Sequence, residues 1–411
     1  MNDAGGIRRV MIINQYYAPD VASSGQLIAD LCEGLVEVGH EVTVVCSQPS
    51  YDEEVEEAPH FEELDGVKIH RVRMRGTTGR RSIVLRTLGY IRFLIFSWWI
   101  ARDLVSGNKY DVVVAFSNPP FVGVVGALIA RKGSIPFLSV LYDIHPDIVR
   151  STNWINLPKV VFSLWEQITC WILSQASSVV VLGQGMKQTL IDTKKVNSEA
   201  INVIPVWARP EFDIGQEPDP ETKSRFAISD EEFIVTFAGN IGIMQPIEHV
   251  LDAAERLRTC NVRFLFLGGG VGFERISDLV AKKNLSNVTI LSYQPFTEFK
   301  NLLLSSDVCL VTLADGMEKL SVPSRAYTFL SAGKPIIAVM NVNSDVSVLV
   351  SDTKSGWVVG RGTDLAKLLK SLVANKEELV ERGTNASKCY KQGFTKQIAI
   401  RKFSELIGQI S

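Results

Sequence analysis

The sequence has few cysteines, almost no net charge and no long uncharged apolar run, and each of these scarcities excludes a class of protein. Its six cysteines form no CxxC pair and have no metal-ligand spacing, which argues against a disulfide scaffold and a zinc site. Lys and Arg number 43 against 45 Asp and Glu, so no overall field attracts nucleic acid. The first apolar run, Val10 to Ile13, is too short for a signal peptide. We therefore expect a cytoplasmic protein with reduced thiols.

Motifs for metal and nucleotide-cofactor chemistry are also missing. No Asp-x-Asp occurs and the five histidines have no ligand spacing, so neither a metal nor another cofactor is expected. Two glycine-rich stretches, Gly239 to Gly242 and Gly268 to Gly272, follow apolar strands but match neither a P-loop nor a dinucleotide fingerprint. Such turns allow close approach of an anion, although each is also compatible with an ordinary strand-to-helix turn.

Short apolar strands alternate with helical stretches along the whole chain, which predicts α/β structure with parallel sheets covered on both faces. Four prolines between Pro205 and Lys223 predict a linker, after which the alternation begins again. The pattern therefore predicts one domain over residues 1–205, a linker over 206–223 and a second domain over 224–395. Ligands of such domains bind at the carboxyl ends of the strands.

A basic, aromatic block follows an acidic one. Eight acidic residues and no basic one occur from Asp52 to Asp65, whereas Lys68 to Lys109 holds ten basic residues and a single acid. Its longest uncharged stretch, Phe93 to Ala101, is too short to span a bilayer. The block fits either a segment in the headgroup layer of an anionic membrane or a buried helix with a basic approach. The predicted membrane contacts are Arg80, Arg81, Arg86, Arg92, Trp98 and Trp99.

The stretch from Asp315 to Pro335 is the most informative one. Pro323 and Gly333 bracket a predicted helix, Ser324 to Ala332, whose amino end has free N–H groups and a partial positive charge. Arg325 in its first turn adds a bidentate phosphate ligand. The stretch therefore predicts an anion site, with a surface ion pair between Glu318 and Arg325 as the alternative.

At this point the sequence resembles a known family. The stretches that carry the resemblance are NQYYAPDVASSGQ, GHEVTVV, YDIHPD, FAGNIGIMQPIEHVLDAA, FLGGG, SSDVCLVTL and GMEKLSVPSRAYTFLSAGKPIIA. They resemble the retaining glycosyltransferases of family 4, above all the bacterial enzymes of capsule, O-antigen and colanic acid assembly, including WbuB-like L-fucosaminyltransferases. The resemblance implies a GT-B fold, in which two Rossmann-like, doubly wound domains face a cleft. It also implies that the last helix, within residues 396–411, crosses back onto the acceptor-binding N-terminal domain.

The resemblance assigns roles to residues of the second domain and reveals two departures. Glu318 matches the first Glu of the family's Glu-x7-Glu motif and would hold hydroxyls of the donor sugar, whereas Thr328 or Ala326 stands in place of the second Glu. Asn240 and Gln245 replace the Arg and Lys that many members use to neutralise the leaving diphosphate. We expect Arg325, Lys319 and backbone N–H groups after Glu318 to compensate. The predicted donor-binding residues are Gly25, Gly239, Asn240, Gln245, Gly268, Tyr293, Lys319, Leu320, Ser324 and Thr328.

In the first domain the resemblance points to two places. Gly25 would belong to a loop, Gln15 to Gly25, that closes over the diphosphate. Asp143 ends a predicted strand, Ile135 to Asp143, and His145 follows it. Both would orient the acceptor or take its proton, although His145 also fits a turn histidine bonded to backbone. With Glu318 and Arg325 they form the predicted catalytic set.

The implied function is transfer of an N-acetylated amino sugar from a UDP-sugar to a glycan on a polyprenyl diphosphate carrier. The enzyme would retain the anomeric configuration and lie peripherally on the inner face of the cell membrane. Two alternatives remain open: a sugar-nucleotide epimerase of the same fold, and a non-catalytic partner subunit that binds nucleotide or lipid.

Overall fold

The computed structural model describes residues 6–20, 23–49, 57–73, 83–152, 157–208, 216–242, 245–360 and 362–411. The chain divides into two compact units. Residues 1–149, 156–206 and 396–411 form the N-terminal unit, and residues 150–155 and 207–395 form the C-terminal unit. Within the described ranges, no helix has the length and hydropathy of a membrane span.

The N-terminal unit is built on an eight-stranded sheet with the order β3-β4-β2-β1-β5-β6-β7-β8. All neighbouring strands are parallel except β3 and β4. The strand order reverses between β1 and β5, which makes their carboxyl ends a preferred place for ligands. Its strands are β1 (Arg9–Ile13), β2 (Glu41–Ser47), β3 (Phe61–Leu64), β4 (Val67–Val72), β5 (Val112–Phe116), β6 (Phe137–Leu141), β7 (Ser178–Val181) and β8 (Ile201–Val203).

Helices cover this sheet because its strands are apolar on both faces. β5 and β6 are buried along their whole length, and the side chains of Phe93 and Phe137 lie fully inside the same core. The helices that follow these strands are α1 (Ser23–Glu37), α2 (Ile83–Gly107), α3 (Val122–Gly133), α4 (Asp147–Thr152), α5 (Lys159–Gln175) and α6 (Gln184–Lys194).

The C-terminal unit contains a six-stranded, wholly parallel sheet with the order β11-β10-β9-β12-β13-β14. Here the order reverses between β9 and β12. Its strands are β9 (Phe233–Asn240), β10 (Val262–Gly269), β11 (Val288–Leu291), β12 (Val308–Thr312), β13 (Ile336–Val339) and β14 (Gly356–Val359). Its helices are α7 (Thr222–Arg225), α8 (Glu248–Arg256), α9 (Phe273–Lys282), α10 (Phe296–Leu304), α11 (Arg325–Ser331), α12 (Asp345–Thr353), α13 (Leu365–Val373) and α14 (Lys376–Gly393).

The last helix, α15 (Lys396–Ile410), belongs to the N-terminal unit and packs against α1. A Cβ placed on Gly34 of α1 would lie only 1.9 Å from Cδ1 of Ile400, so the two helices approach closely at this glycine. Lys396 lies 3.4 Å from Glu33 and 3.9 Å from Asp30. Close packing and charge pairing together fix the end of the chain on the first helix.

The imidazole of His40 joins β1 to α15. The Arg8 N–H donates to Nδ1 at 3.2 Å, so Nε2 carries the proton and donates to Ser404 Oγ at 2.8 Å. Burial, and secondarily the charge of Arg8, lower the pKa of His40. Protonation of Nδ1 would break the hydrogen bond from the Arg8 N–H, while Nε2 could still donate to Ser404.

We expect stability to fall as the solution is acidified through the ordinary histidine range. Because the folded-state pKa of His40 lies below the unfolded value near 6.5, the unfolded chain binds more protons below that pH. The contribution of neutral His40 to the free energy of unfolding is complete above about pH 6.5 and decreases as the pH falls toward the pKa of the folded state. Melting temperatures at about pH 7.5 and 5.5 should differ less in His40→Gln than in the parent. An equal loss in both proteins would contradict a role for His40.

The predicted strands lie within two residues of observed ones, whereas β14 was not predicted and further segments differ. The strands predicted from the sequence were Val10 to Ile13, Glu41 to Cys46, Asp111 to Phe116, Ile135 to Asp143, Ser178 to Leu182, Ile201 to Ile204, Glu232 to Ala238, Arg263 to Leu267, Val288 to Leu291, Val308 to Leu313 and Pro335 to Val339. α1 begins at Ser23, so the prediction that Gly25 ends a loop was wrong. Strands β3 and β4 form inside the two charged blocks, where alternation such as the buried Val67 and Ile69 around Lys68 was masked by charge. Residues 216–225, which include the end of the predicted linker, contact α10 of the C-terminal unit.

Candidate functional site

Two glycine turns touch each other at the carboxyl edge of the C-terminal sheet. Gly239 at the end of β9 and Gly268 at the end of β10 both have positive φ angles, 117° and 141°. A Cβ on Gly268 would lie 2.1 Å from the carbonyl oxygen of Gly239, which excludes any side chain there. Gly270 also has a positive φ, 117°. Gly239, Gly268 and Gly270 are therefore required by the backbone, and their lack of side chains leaves this edge open to a ligand.

Polar side chains from the predicted donor-binding set surround these turns. The Asn240 side chain covers Gly270, and Gln245 accepts the Gly242 N–H through Oε1 at 2.9 Å. The ring of Tyr293, which follows β11, lies against Gly269 and is 59% exposed. The structure thus brings residues from three strand ends to one place.

Arg325 lies at the same place and has no carboxylate partner among the described residues. Its guanidinium stacks on the Phe237 ring with Cζ 4.3 Å from the centroid, and Nη2 donates to the Asn240 carbonyl oxygen at 3.0 Å. Nη1 is buried without a hydrogen-bond partner. Burial lowers the pKa of Arg325 to about 10, so the group remains charged at neutral pH. The alternative ion pair with Glu318 is not formed.

A partly buried cation without an anion is costly, and the Arg325 guanidinium, with its buried Nη1, lies beside backbone turns that accept no side chain. Buried charges in proteins are normally paired. The guanidinium Cζ lies 3.4 Å from the Cβ position of Gly239, so it faces the surface of that turn. An anionic group of a ligand placed there would supply the missing partner, and a guanidinium binds phosphate oxygens in a bidentate manner.

Glu318 is held on the loop after β12 by a single side chain. Asn341 Nδ2 donates to Oε1 at 2.8 Å, whereas Oε2 is buried and has no hydrogen-bond partner. Unsatisfied buried acceptors are uncommon in folded proteins. Glu318 Oε2 is therefore available to accept a hydrogen bond from a ligand hydroxyl.

The remaining donor residues of this loop and helix are placed less favourably. The Leu320 side chain is buried and its N–H donates to Met317 O at 3.0 Å, so that N–H is occupied within the turn. Lys319 is exposed, and the Ser324 side chain makes no capping hydrogen bond at α11. Of the two positions for the absent second Glu, Ala326 is fully buried and only Thr328 retains exposed surface. Helix α11 has seven residues, so the charge here comes chiefly from Arg325.

A cavity of about 540 Å³ lies in the same unit, beyond the ends of β13 and β14, and is lined partly by Asp315 of the loop after β12. Its cation, Arg256, forms two hydrogen bonds with Asp364, at 2.8 and 2.7 Å. That charge is already neutralised, so the cavity offers less to an anion than Arg325 does. Sequence reasoning gave no signal for this cavity.

In the N-terminal unit, Asp143 and His145 border a cavity of about 40 Å³ at the ends of β5 and β6. The His145 ring stacks on Trp165 with centroids 5.7 Å apart and planes inclined by 17°. Its Nδ1 is buried without a partner, so the predicted backbone-bonded turn histidine is not observed at that nitrogen. Burial lowers the pKa of His145, although Asp143 and Asp147 oppose the shift. Trp165 carries no sequence signal that would have identified it.

Gly25 lies in the first turn of α1, against the loop that follows β1. Its Cβ position is 3.2 Å from Tyr16 C, Tyr16 Cβ and Tyr17 N, tighter than most side chains tolerate. A role of Gly25 at a diphosphate stays a prediction, since its contacts explain the glycine by packing.

Helix α2 presents one buried and one open face. Phe93, Ser97 and Ala101 are fully buried at four-residue spacing, whereas Ile91, Ile95 and Trp99 are about half exposed. Trp98 and Trp99 pack edge to face, and the Arg102 guanidinium lies over both rings. The buried alternative is therefore observed for one face of α2, whereas contact of the exposed face with a membrane stays a prediction. Arg92 is exposed, Arg80 and Arg81 lie outside the described residues, and so does the Arg86 side chain.

Comparison with known proteins identifies the family of each unit. Residues 24–207 match the profile of the glycosyl transferase 4-like domain, and residues 218–389 match that of glycosyl transferases group 1. Within the described residues, no three His, Cys, Asp or Glu side chains lie close enough together to hold a metal ion.

Relatives and solved structures agree with these profiles. The chain is 25% identical over 309 residues to the probable glycosyltransferase WbjE of Pseudomonas aeruginosa, covering 73% of this chain and 75% of WbjE. It is 21% identical over 405 residues to WcaI of Escherichia coli K12, a protein named for glycosyl transfer in colanic acid biosynthesis, covering 96% and 98%.

The fold is that of Anabaena HepE, solved in complex with UDP and glucose, with a TM-score of 0.72, 15% identity and coverage of 98% of this chain and 100% of HepE. The two sheets, their strand orders and both profile matches lead to one conclusion. The chain consists of GT4-type glycosyltransferase domains with the two-domain α/β GT-B fold.

Proposed function

We propose that this protein is a retaining glycosyltransferase of surface-polysaccharide synthesis. It would transfer an N-acetylated amino sugar, such as an L-fucosaminyl group, from a UDP-sugar to a glycan on a polyprenyl diphosphate. The observation that carries the proposal is the guanidinium of Arg325 beside the Gly239 and Gly268 turns, which has no carboxylate partner among the described residues and whose Nη1 is buried without a hydrogen bond. A diphosphate is the anion that fits such a group and such turns.

The site residues suggest how the reaction would proceed. The bond between the anomeric carbon and the diphosphate breaks, and a bond from the acceptor oxygen to the same face of that carbon forms. Arg325 would stabilise the negative charge that develops on the departing UDP. The acceptor proton would pass to the departing phosphate oxygen, so no strong protein base is required. Glu318 would hold a hydroxyl of the transferred sugar, and Asp143 and His145 would orient the acceptor.

The nature of the donor and the biological setting rest on the comparisons. HepE was solved with UDP and glucose, and WcaI is named for colanic acid biosynthesis, which supports a UDP-sugar and a surface glycan for this chain. No metal is proposed, because Arg325 and backbone N–H groups would neutralise the diphosphate. Because the proposed acceptor is lipid-linked, the protein would lie in the cytoplasm at the inner face of the membrane.

Release of UDP from a panel of UDP-sugars, with and without lipid-linked acceptor, tests this proposal. A glycosyltransferase releases UDP chiefly when the acceptor is present. A sugar-nucleotide epimerase would convert the UDP-sugar without any acceptor. A non-catalytic subunit would bind UDP and release none, and either of these two outcomes would contradict the proposed activity.

The open face of α2 supports attachment to an anionic membrane. Its exposed Ile91, Ile95 and Trp99 form an apolar stripe, and Arg92 lies exposed on the same helix. We expect the protein to float with phosphatidylglycerol vesicles and Ile95→Asp to weaken that binding about tenfold, because an apolar side chain leaves the interface and a charge enters it. Val380→Asp, at a 71% exposed position on α14, serves as the matched control. If neither Ile95→Asp nor about 0.5 M salt weakened vesicle binding, the proposed membrane contact of α2 would be refuted.

A further inference from the structure

A cluster of three charged side chains involves close sequence neighbours of His145 and Trp165, whose rings are stacked. The Lys194 side chain, at the end of α6, is fully buried. Its ammonium lies 2.5 Å from Asp147 Oδ2 and 2.5 Å from Glu166 Oε1. Glu166 Oε2 is buried without a partner, and Cys170 Sγ donates to Glu166 Oε1 at 3.8 Å.

The two carboxylates belong to the segments that carry the stacked rings. Asp147 follows His145 by two residues at the start of α4, and Glu166 directly follows Trp165 on α5. One ammonium group therefore connects both segments. Lys194 is far from His145 in sequence, and nothing in the local pattern of α6 indicates this connection.

We propose that Lys194 is a positioning residue, which holds the His145 imidazole against Trp165 and beside the cavity by binding Asp147 and Glu166 together. The inference rests on the proposed function, in which His145 orients the acceptor. It adds the residue that fixes the orientation and charge state of that imidazole.

The charges around His145 support this role. Burial lowers the pKa of His145, and Asp143 and Asp147 act in the opposite direction. The ammonium of Lys194 offsets the charge of Asp147 and Glu166, while Cys170 is a thiol whose pKa is raised by burial. The imidazole is thus kept neutral near pH 7, with an unpartnered Nδ1 that can bind an acceptor hydroxyl.

Stability alone does not explain such a cluster. Replacing a buried ion pair by apolar groups is often neutral or stabilising, because desolvation offsets much of the Coulomb attraction. Holding two polar segments in one geometry is the better-supported use of such groups. The two carboxylates lie on the segments that carry the stacked rings, which matches that use.

The test is an NMR titration of histidine ring protons in the full chain, with the His145 signals assigned by His145→Gln. In Lys194→Met we expect the ring-current shift of His145 from Trp165 to disappear and its pKa to rise by about one unit. Lys187→Met is the matched control, since this α6 lysine donates to Ile201 O and not to the cluster. His145 signals in Lys194→Met that match the parent would overturn the proposal.

Glu166→Gln keeps the test decisive if Lys194→Met does not fold. The amide oxygen still accepts from Lys194, and the loss of one negative charge should lower the His145 pKa while the rings stay stacked. An unchanged His145 pKa in Glu166→Gln would contradict the proposal that this cluster sets the charge state of the imidazole. In transfer assays, Lys194→Met should lower kcat about tenfold with the donor KM unchanged, and the acid limb of the pH profile should move with the His145 pKa. The NMR result is independent of the activity, so failure of the proposed function would be recognised separately.

Discussion

Arg325→Met should reduce glycosyl transfer by about 10²–10³-fold and weaken UDP binding. Removal of one hydrogen-bond donor to a developing negative charge typically lowers the rate of an enzyme by about that factor. The fold should survive, since methionine fills the place above the Phe237 ring and an unpaired buried charge is removed. We therefore expect a melting temperature equal to or above that of the parent. Transfer rates, calorimetric UDP affinity and melting temperature measure the three effects.

Arg256→Met is the matched control for this experiment. It removes a cation of the same unit that is already neutralised by Asp364, so transfer should change less than about twofold. A large loss in Arg256→Met together with normal transfer in Arg325→Met would move the anion site to the 540 Å³ cavity. Parent-like UDP binding in Arg325→Met would remove this arginine from the diphosphate site.

Glu318→Gln should lower transfer by about 10²-fold and leave the affinity for UDP itself unchanged. The carboxylate is expected to contact the transferred sugar, and a charged acceptor makes stronger hydrogen bonds than an amide. The variant should keep its fold because Asn341 can still donate to the side-chain oxygen of residue 318. Affinity for the UDP-sugar should therefore decrease toward that for UDP, which calorimetry with both ligands measures.

Glu377→Gln provides the control, since this exposed glutamate lies in the first turn of α14. It should leave both affinities and the transfer rate close to those of the parent. If Glu318→Gln weakened UDP and UDP-sugar equally, Glu318 would act on the nucleotide or on the fold instead. The contrast with Arg325→Met separates sugar recognition from recognition of the diphosphate.

Much of the fold could be predicted because apolar strands have a strong local signal. β11 was predicted at its observed bounds, and α11 within one residue at each end. β3, β4 and β14 were not predicted. β3 is the edge strand and β4 lies next to it, and the charged residues of both hide their alternation. The structure also showed that α2 has one buried and one exposed apolar face, whereas its contact with a membrane stays a prediction.

The sequence by itself determined most of the parallel strands and the glycine turns, because periodicity and glycine act within a few residues. Only the tertiary structure decided which charges are paired. Arg325 meets the Asn240 backbone across 85 residues, and His40 meets Ser404 across 364. Such contacts depend on how elements pack, and a sequence pattern cannot reveal whether a buried cation finds a carboxylate. The isolation of Arg325 and the clamp of Lys194 on Asp147 and Glu166 follow from that packing.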